Sequence, residues 1–167
     1  IIIPVASHFE LGMAAIEAGK SVWIEKPVTA SSEEARRLCD AADRRGKILF
    51  VDHTFIYTGA VRKLRELAAA GEIGQLCCYD SVRSNLGLYR PDVNVLWDLA
   101  VHDVSILDYA FQPKIVAVSA TGVANVPGMP ESSAFMTAYL EGGAVMHVHA
   151  DWFAPTKGRT TTITGDK

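Results

Sequence analysis

Three short apolar runs rich in β-branched residues, Ile1 to Ile3, Ser21 to Ile24 and Lys47 to Val51, alternate with two stretches that open on the same four-residue signature. Ser7 with Glu10 and Ser31 with Glu34 are spaced as capping boxes, in which the Ser oxygen takes the N3 amide and the Glu reaches back to the cap amide. Each box predicts a helix. Leu11, Ala14, Ala15 and Ala18 recur at helical spacing in the first, and Ala35, Leu38, Cys39 and Ala42 give the inner face of the second. Gly19 and Gly46 are placed to end them as C′ glycines. Strand, helix, strand, helix, strand with short connections predicts a parallel sheet with crossover helices, an α/β fold.

The pattern changes near Tyr57, which sets the expected boundary between a first domain, residues 1–57, and a second, residues 58–167. Thr58 to Ala70 reads as a helix, Gly71 to Gly74 as a turn, Gln75 to Asn85 as a strand and Leu86 to Asn94 as a loop. Val95 to Ala110 is a predicted helix with Val95, Leu99, Ile106 and Tyr109 on its apolar side. Lys114 to Thr121, Ser132 to Leu140 and Ala144 to Phe153 are predicted strands, the last two a hairpin across Glu141-Gly142-Gly143, and Arg159 to Thr164 is one more. This is an α+β order.

Sixteen basic against 19 acidic side chains, with no run of Lys or Arg, exclude a phosphate-backbone binder, because nucleic-acid affinity needs clustered cations. No apolar stretch approaches the roughly 18 to 20 residues of a membrane span. Cys39, Cys77 and Cys78 form no C-x-x-C pair and read as reduced thiols of a cytoplasmic protein. No basic segment precedes the Ile1-Ile2-Ile3-Pro4 opening, so no signal peptide is expected, and the chain reads as a fragment that starts inside a strand.

Several residues have the chemistry of a site. Lys26 follows a predicted strand, at the carboxyl end where parallel sheets bind ligands, although most lysines are simply solvated. Asp98 and His102 are four apart on one helix face, the relation in which a carboxylate orients an imidazole and favours its charged form; Asp103 is an alternative carboxylate, and a structural ion pair gives the same spacing. His147 and His149 share one side of a strand but have no third metal ligand nearby, and Asp52 and His53 close a strand. No G-x-G-x-x-G, P-loop or nucleophile elbow occurs.

Pro4-Val5-Ala6-Ser7-His8, Ala18-Gly19-Lys20-Ser21-Val22-Trp23-Ile24-Glu25-Lys26-Pro27 and Trp97-Asp98-Leu99-Ala100-Val101-His102-Asp103, in that order, resemble the glucose-fructose oxidoreductase and inositol dehydrogenase family. Gly71 to Gly74 and Trp152 with Lys157 and Arg159 look like further landmarks. The resemblance implies the carboxyl half of a Rossmann domain followed by part of an α+β domain built on a large, mostly antiparallel open sheet. It implies an oxidoreductase using NAD or NADP, with Lys26, Asp98 and His102 catalytic and the Lys26-Pro27 bond often cis. Pro4, His8, Glu25, Lys26 and Pro27 match cofactor-side positions.

The family acts mostly on sugars, inositols and sugar nucleotides. His53-Thr54-Phe55, Asn85-Leu86-Gly87 and Asn94-Val95-Leu96-Trp97 resemble sugar-nucleotide members, and Asn85, Arg90 and Asn94, with Tyr89, suit a hydroxyl-rich substrate. Arg83 and Arg90 could meet a phosphate or carboxylate, the alternative for either being an ordinary surface cation. The family's phosphate loop and its NAD-versus-NADP selector have no counterpart in these residues. A homo-oligomer, dimer or tetramer, is expected through the Ser132 to Phe153 hairpin, because an exposed sheet invites association. The alternatives are a ligand-sensing or interaction protein that keeps the fold, an inactive truncated fragment, and, remotely, a metal hydrolase using His147 and His149.

Overall fold

A computed structural model describes residues 1–86 and 89–167; Gly87 and Leu88, inside the predicted 86–94 loop, lie outside the described residues. The chain divides into two compact units, Ile1–His53 and Thr54–Lys167.

In the first unit, β1 (Val22–Glu25) and β2 (Leu49–Asp52) pair in parallel, Val22 opposite Leu49 through Glu25 opposite Asp52. The helix α2 (Ser32–Arg44) makes the crossover, and α1 (His8–Glu17) packs against it and β1. Their core is Ile16, Val22, Ile24, Leu38, Ala41 and Ala42. A Cβ at Gly12 would stand 3.1 Å from both Ile24 Cδ1 and Leu38 Cδ2, so only glycine lets α1 settle this closely without displacing a neighbour.

Four expectations for this unit are corrected. Ile1 to Ile3 form no strand: one rung joins Ile1 to β1, with Glu25 N–H donating to Ile1 O at 3.0 Å and the Ile1 amine to Trp23 O. Pro4, which has no N–H, and a 3₁₀ turn over Val5–Ser7 then lead straight into α1. Ser7 makes no cap, because as the last residue of that turn it is already helical at φ −100° and ψ −3°. Ser31 is extended and its Oγ accepts from Glu34 N–H at 3.2 Å. The buried stripe of α1 is His8, Gly12 and Ile16, leaving Leu11 half exposed, and that of α2 is Leu38, Ala41 and Ala42, with Cys39 turned to solvent.

The second unit is a five-stranded sheet in the order β4-β5-β6-β3-β7, formed by β3 (Leu76–Ser84), β4 (Ile115–Val123), β5 (Ser133–Leu140), β6 (Val145–Asp151) and β7 (Gly158–Gly165). Only β3 and β6 run parallel. The β5–β6 turn closes as expected: Leu140 N–H donates to Ala144 O at 2.9 Å, and Gly142 and Gly143 take φ of 90° and 92°, which only glycine adopts freely. Two helices, α3 (Gly59–Ala69) and α4 (Val101–Phe111), supply Val61, Ile106 and Leu107 to a core shared with Tyr79, Ala138, Leu140, Met146 and Val148 of the sheet. The other face of the sheet carries Val82, Phe135 and Tyr139, all well exposed.

The predicted helix from Val95 is not α-helical throughout. Leu96–Ala100 form a π-helical turn, and α4 begins only at Val101. The buried side of the whole element is Val95, Asp98, Ala100, His102, Asp103, Ile106 and Leu107, a polar-rich stripe that the spacing of Val95, Leu99, Ile106 and Tyr109 does not show.

Asp103 on α4 is fully buried and pairs with Arg83 on β3, itself 6% exposed, while Tyr79 OH donates to Asp103 Oδ1 at 3.4 Å. Burial, and then the Asp103 carboxylate, push the Tyr79 phenol far above its ordinary pKa, so it remains a donor at any working pH. Removing one member strands a buried charge, whereas replacing both with apolar groups strands none. Arg83→Met alone should therefore lower unfolding stability by about 3–5 kcal/mol. The double variant Arg83→Met, Asp103→Leu should recover most of that in urea denaturation.

Candidate active site

The first unit gathers its polar groups at the carboxyl ends of β1 and β2. Glu25 and Asp52 are opposite one another in the register. Lys26 follows, half-buried, and its N–H lies 3.2 Å from Glu25 Oε2; the Lys26-Pro27 bond is cis. His8 is 1% exposed and its ring faces two carbonyls, Nδ1 toward Pro27 O at 3.0 Å and Nε2 toward Ile3 O at 2.9 Å. His8 thus ties the segment before Pro4 to the segment after Lys26. Pro4, His8, Glu25, Lys26 and Pro27 are brought together at one end of this unit.

The same end holds His53, whose buried Nδ1 has no hydrogen-bond partner. Burial lowers the His53 pKa and the Lys26 ammonium lowers it further, while Asp52 opposes them. A buried polar atom without a partner is rare in native proteins and calls for an explanation, of which a ligand atom is one.

In the second unit Asp98 is 6% exposed on the π-turn, and its two oxygens have different partners. Trp152 Nε1 donates to Oδ2 at 3.3 Å, and Arg90 Nε pairs with Oδ1 at 3.3 Å. His102 follows four residues later on α4, 8% exposed, with Phe55 meeting its ring edge-on at a centroid distance of 4.7 Å. Asn94 opens the π-turn: its Oδ1 accepts from Trp97 N–H at 3.0 Å and its Nδ2 donates to Glu131 Oε2 at 3.4 Å. Asn85 is at the end of β3, its N–H donating to Asp151 O at 3.0 Å. Arg90 is thus held beside Asp98, and Asn94 helps to start the turn. Sequence reasoning weighed Arg83 only as an anion contact and missed the Trp152 to Asp98 bond, for which a residue 54 positions away leaves no local signal.

His147 and His149 lie on the sheet face away from the helices. His147 Nδ1 is 3.0 Å from Thr137 Oγ1, and His149 stacks on Phe135 at 4.3 Å between centroids. Among the described residues no three His, Cys, Asp or Glu side chains gather as a metal site requires, and no helix is long and apolar enough to cross a membrane.

Residues 1–53 match the family described as "Oxidoreductase family, NAD-binding Rossmann fold", and residues 61–167 match the GFO/IDH/MocA C-terminal domain. The chain belongs to the GFO/IDH/MocA family of oxidoreductases. It is 31% identical over 154 residues to UDP-N-acetylglucosamine 3-dehydrogenase of Acidithiobacillus ferrooxidans, a match covering 90% of the chain and 47% of that relative. Over 94 residues it is 35% identical to scyllo-inositol 2-dehydrogenase (NADP(+)) of Bacillus subtilis, covering 56% of the chain and 25% of the relative. An inositol dehydrogenase homologue from Azotobacter vinelandii, solved with NADH and myo-inositol, superposes with a TM-score of 0.92 at 22% identity, over 99% of this chain and 48% of that one; at that identity the likeness is one of fold. The chain spans less than half the length of each of these three proteins.

The lowered pKa of His53 has a sign that stability measurements read. Its contribution is complete above the ordinary value of 6.5 and is lost as pH falls through the lower folded value, because the unfolded chain takes the proton first. Urea unfolding from about pH 7.5 to pH 5 should show stability falling with pH, and His53→Gln should flatten that slope.

Proposed function

We propose that these residues belong to a dehydrogenase that moves hydride between NAD or NADP and a secondary hydroxyl of a sugar, an inositol or a sugar nucleotide. The observation that carries this reading is the buried carboxylate of Asp98, anchored by Trp152 and Arg90 one turn before His102. Residues 1–57 would be the carboxyl half of the dinucleotide-binding domain and residues 58–167 part of the substrate and oligomerisation domain. The relatives named as sugar-nucleotide and inositol dehydrogenases support the substrate class.

The nicotinamide would accept or donate the hydride. Lys26 and the unpartnered Nδ1 of His53 fit the ribose and nicotinamide end of such a group, with Pro4, His8, Glu25 and Pro27 shaping the strand-end segment around them. The 167 residues contain no glycine-rich loop to cradle its phosphates. In the proton half of the reaction, the Lys26 ammonium donates to the alcohol oxygen and stabilises its developing negative charge. An imidazole nitrogen of His102 takes the hydroxyl proton, and Asp98 supports the imidazolium that results. Asn85, Arg90 and Asn94 are proposed to contact substrate hydroxyls.

A cytoplasmic homo-oligomer completes the reading. The open sheet face presents Phe135, 60% exposed, and Tyr139, 46%, on β5 and Val82, 42%, on β3, and a second copy of this face would bury them. Sedimentation velocity should show a dimer or tetramer, and a monomer across the micromolar range would overturn this part. For the chemistry, the natural-length protein should bind NADH or NADPH in a fluorescence titration. His102→Ala should lower kcat by about 10²–10⁴-fold with cofactor affinity kept. Equal turnover in the variant would exclude His102 as the base.

A further inference from the structure

Arg83 and Arg159 stand directly opposite one another in the β3–β7 register, on the helix side of the sheet. Like charges in facing positions repel. Arg83 is neutralised by Asp103, whereas exposed Arg159 has no carboxylate partner among the described residues. Both guanidiniums converge on one ring: the Arg83 Cζ is 4.6 Å and the Arg159 Cζ 5.2 Å from the centroid of Phe55. The attraction of cations for an aromatic face offsets the repulsion and holds the ring in place.

The same ring meets the imidazole of His102 at 4.7 Å with an interplanar angle of 69°, and Phe55 comes from the 3₁₀ turn Thr54–Tyr57, which packs against α4. The χ2 torsion of a histidine is broad, so a base that must aim a nitrogen needs something flat and fixed beside it. We infer that Phe55, clamped by Arg83 and Arg159, is a positioning residue that sets the ring orientation of His102. This rests on the reading of His102 as the proton-transfer group. The charged groups of the surrounding elements are Asp98 with Arg90, Asp103 with Arg83, and Arg159.

The test pairs two readouts on Phe55→Leu, Phe55→Tyr and Arg159→Gln. In the 167-residue chain, the imidazole Cδ2–H and Cε1–H signals of His102 are followed by NMR through a pH titration. Phe55→Leu should move both signals, Phe55→Tyr should leave them near their original positions, and Arg159→Gln, a change at an exposed side chain, should shift them by loosening the Phe55 ring it helps to hold. In the natural-length protein, Phe55→Leu should lower kcat by about tenfold to a hundredfold with KM little changed, and Phe55→Tyr should restore it.

Unaltered His102 signals and kcat in Phe55→Leu would overturn the inference. So would equal losses in Phe55→Leu and Phe55→Tyr that track thermal stability alone. Should Phe55→Leu fail to fold, His102 signals unmoved by Arg159→Gln decide against it. A protein that binds no nicotinamide and oxidises no sugar alcohol, yet whose His102 signals respond to Phe55, would sink the dehydrogenase reading and leave the contact standing.

Discussion

Asp103 has no exposed surface, and among the described residues the cation paired with it, Arg83, comes from β3, an inner strand of the sheet. A carboxylate in that position has to be paired and hydrogen-bonded, so α4 can sit on the sheet only at the rotation that brings Asp103 to Arg83 and Tyr79. Apolar side chains tolerate sliding and small rotations; a charged pair does not. The rotation then decides where the rest of the stripe points. His102 precedes Asp103 by one residue and faces Phe55, and Asp98, a turn earlier, faces Trp152 and Arg90. The candidate site residues of the second unit, Asp98 and His102, are thus oriented by a pair that lies outside that candidate site.

The first unit solves the positioning problem differently. It uses backbone carbonyls: those of Ile3 and Pro27 converge on the ring of His8, so the segments flanking the strand-end polar groups are held by one buried side chain. Gly12 brings α1 against Ile24 and Leu38, which keeps His8, one turn before it, at the depth where its ring reaches both oxygens. Family membership follows from the match of both units.

Much of this was legible in the sequence. The capped helix from Ser31, the β5–β6 hairpin, the α+β run of elements after Tyr57 and the strand-end place of Lys26 rest on local signals, namely capping, turn glycines and period, whereas the mostly antiparallel sheet was implied only by the family resemblance. What was not legible depended on distant partners or on irregular backbone. Ser7 has the capping-box spacing but the wrong dihedrals, because Pro4 starts a 3₁₀ turn that no periodicity reveals. Cys39 and Leu11 sit at helical spacing with apolar neighbours, yet the buried stripes run through Ala41 and Gly12, since small residues mark a close-packed face better than large ones do. Phe55 passed as part of a recognisable string, and its contact with His102 spans 47 positions of chain.

The π-turn at Leu96–Ala100 has a bearing on how this protein can change over time. A π-turn accommodates one residue more than the α-helix it interrupts. Deleting any one of those five residues would wind the segment back into regular α-helix and swing everything before it by about 100° around the axis. Asn94 and Arg90 would leave their partners, while α4 stayed locked by Asp103. A change in the length of this stretch therefore disturbs more of the unit than a substitution at one of its exposed positions, such as Trp97.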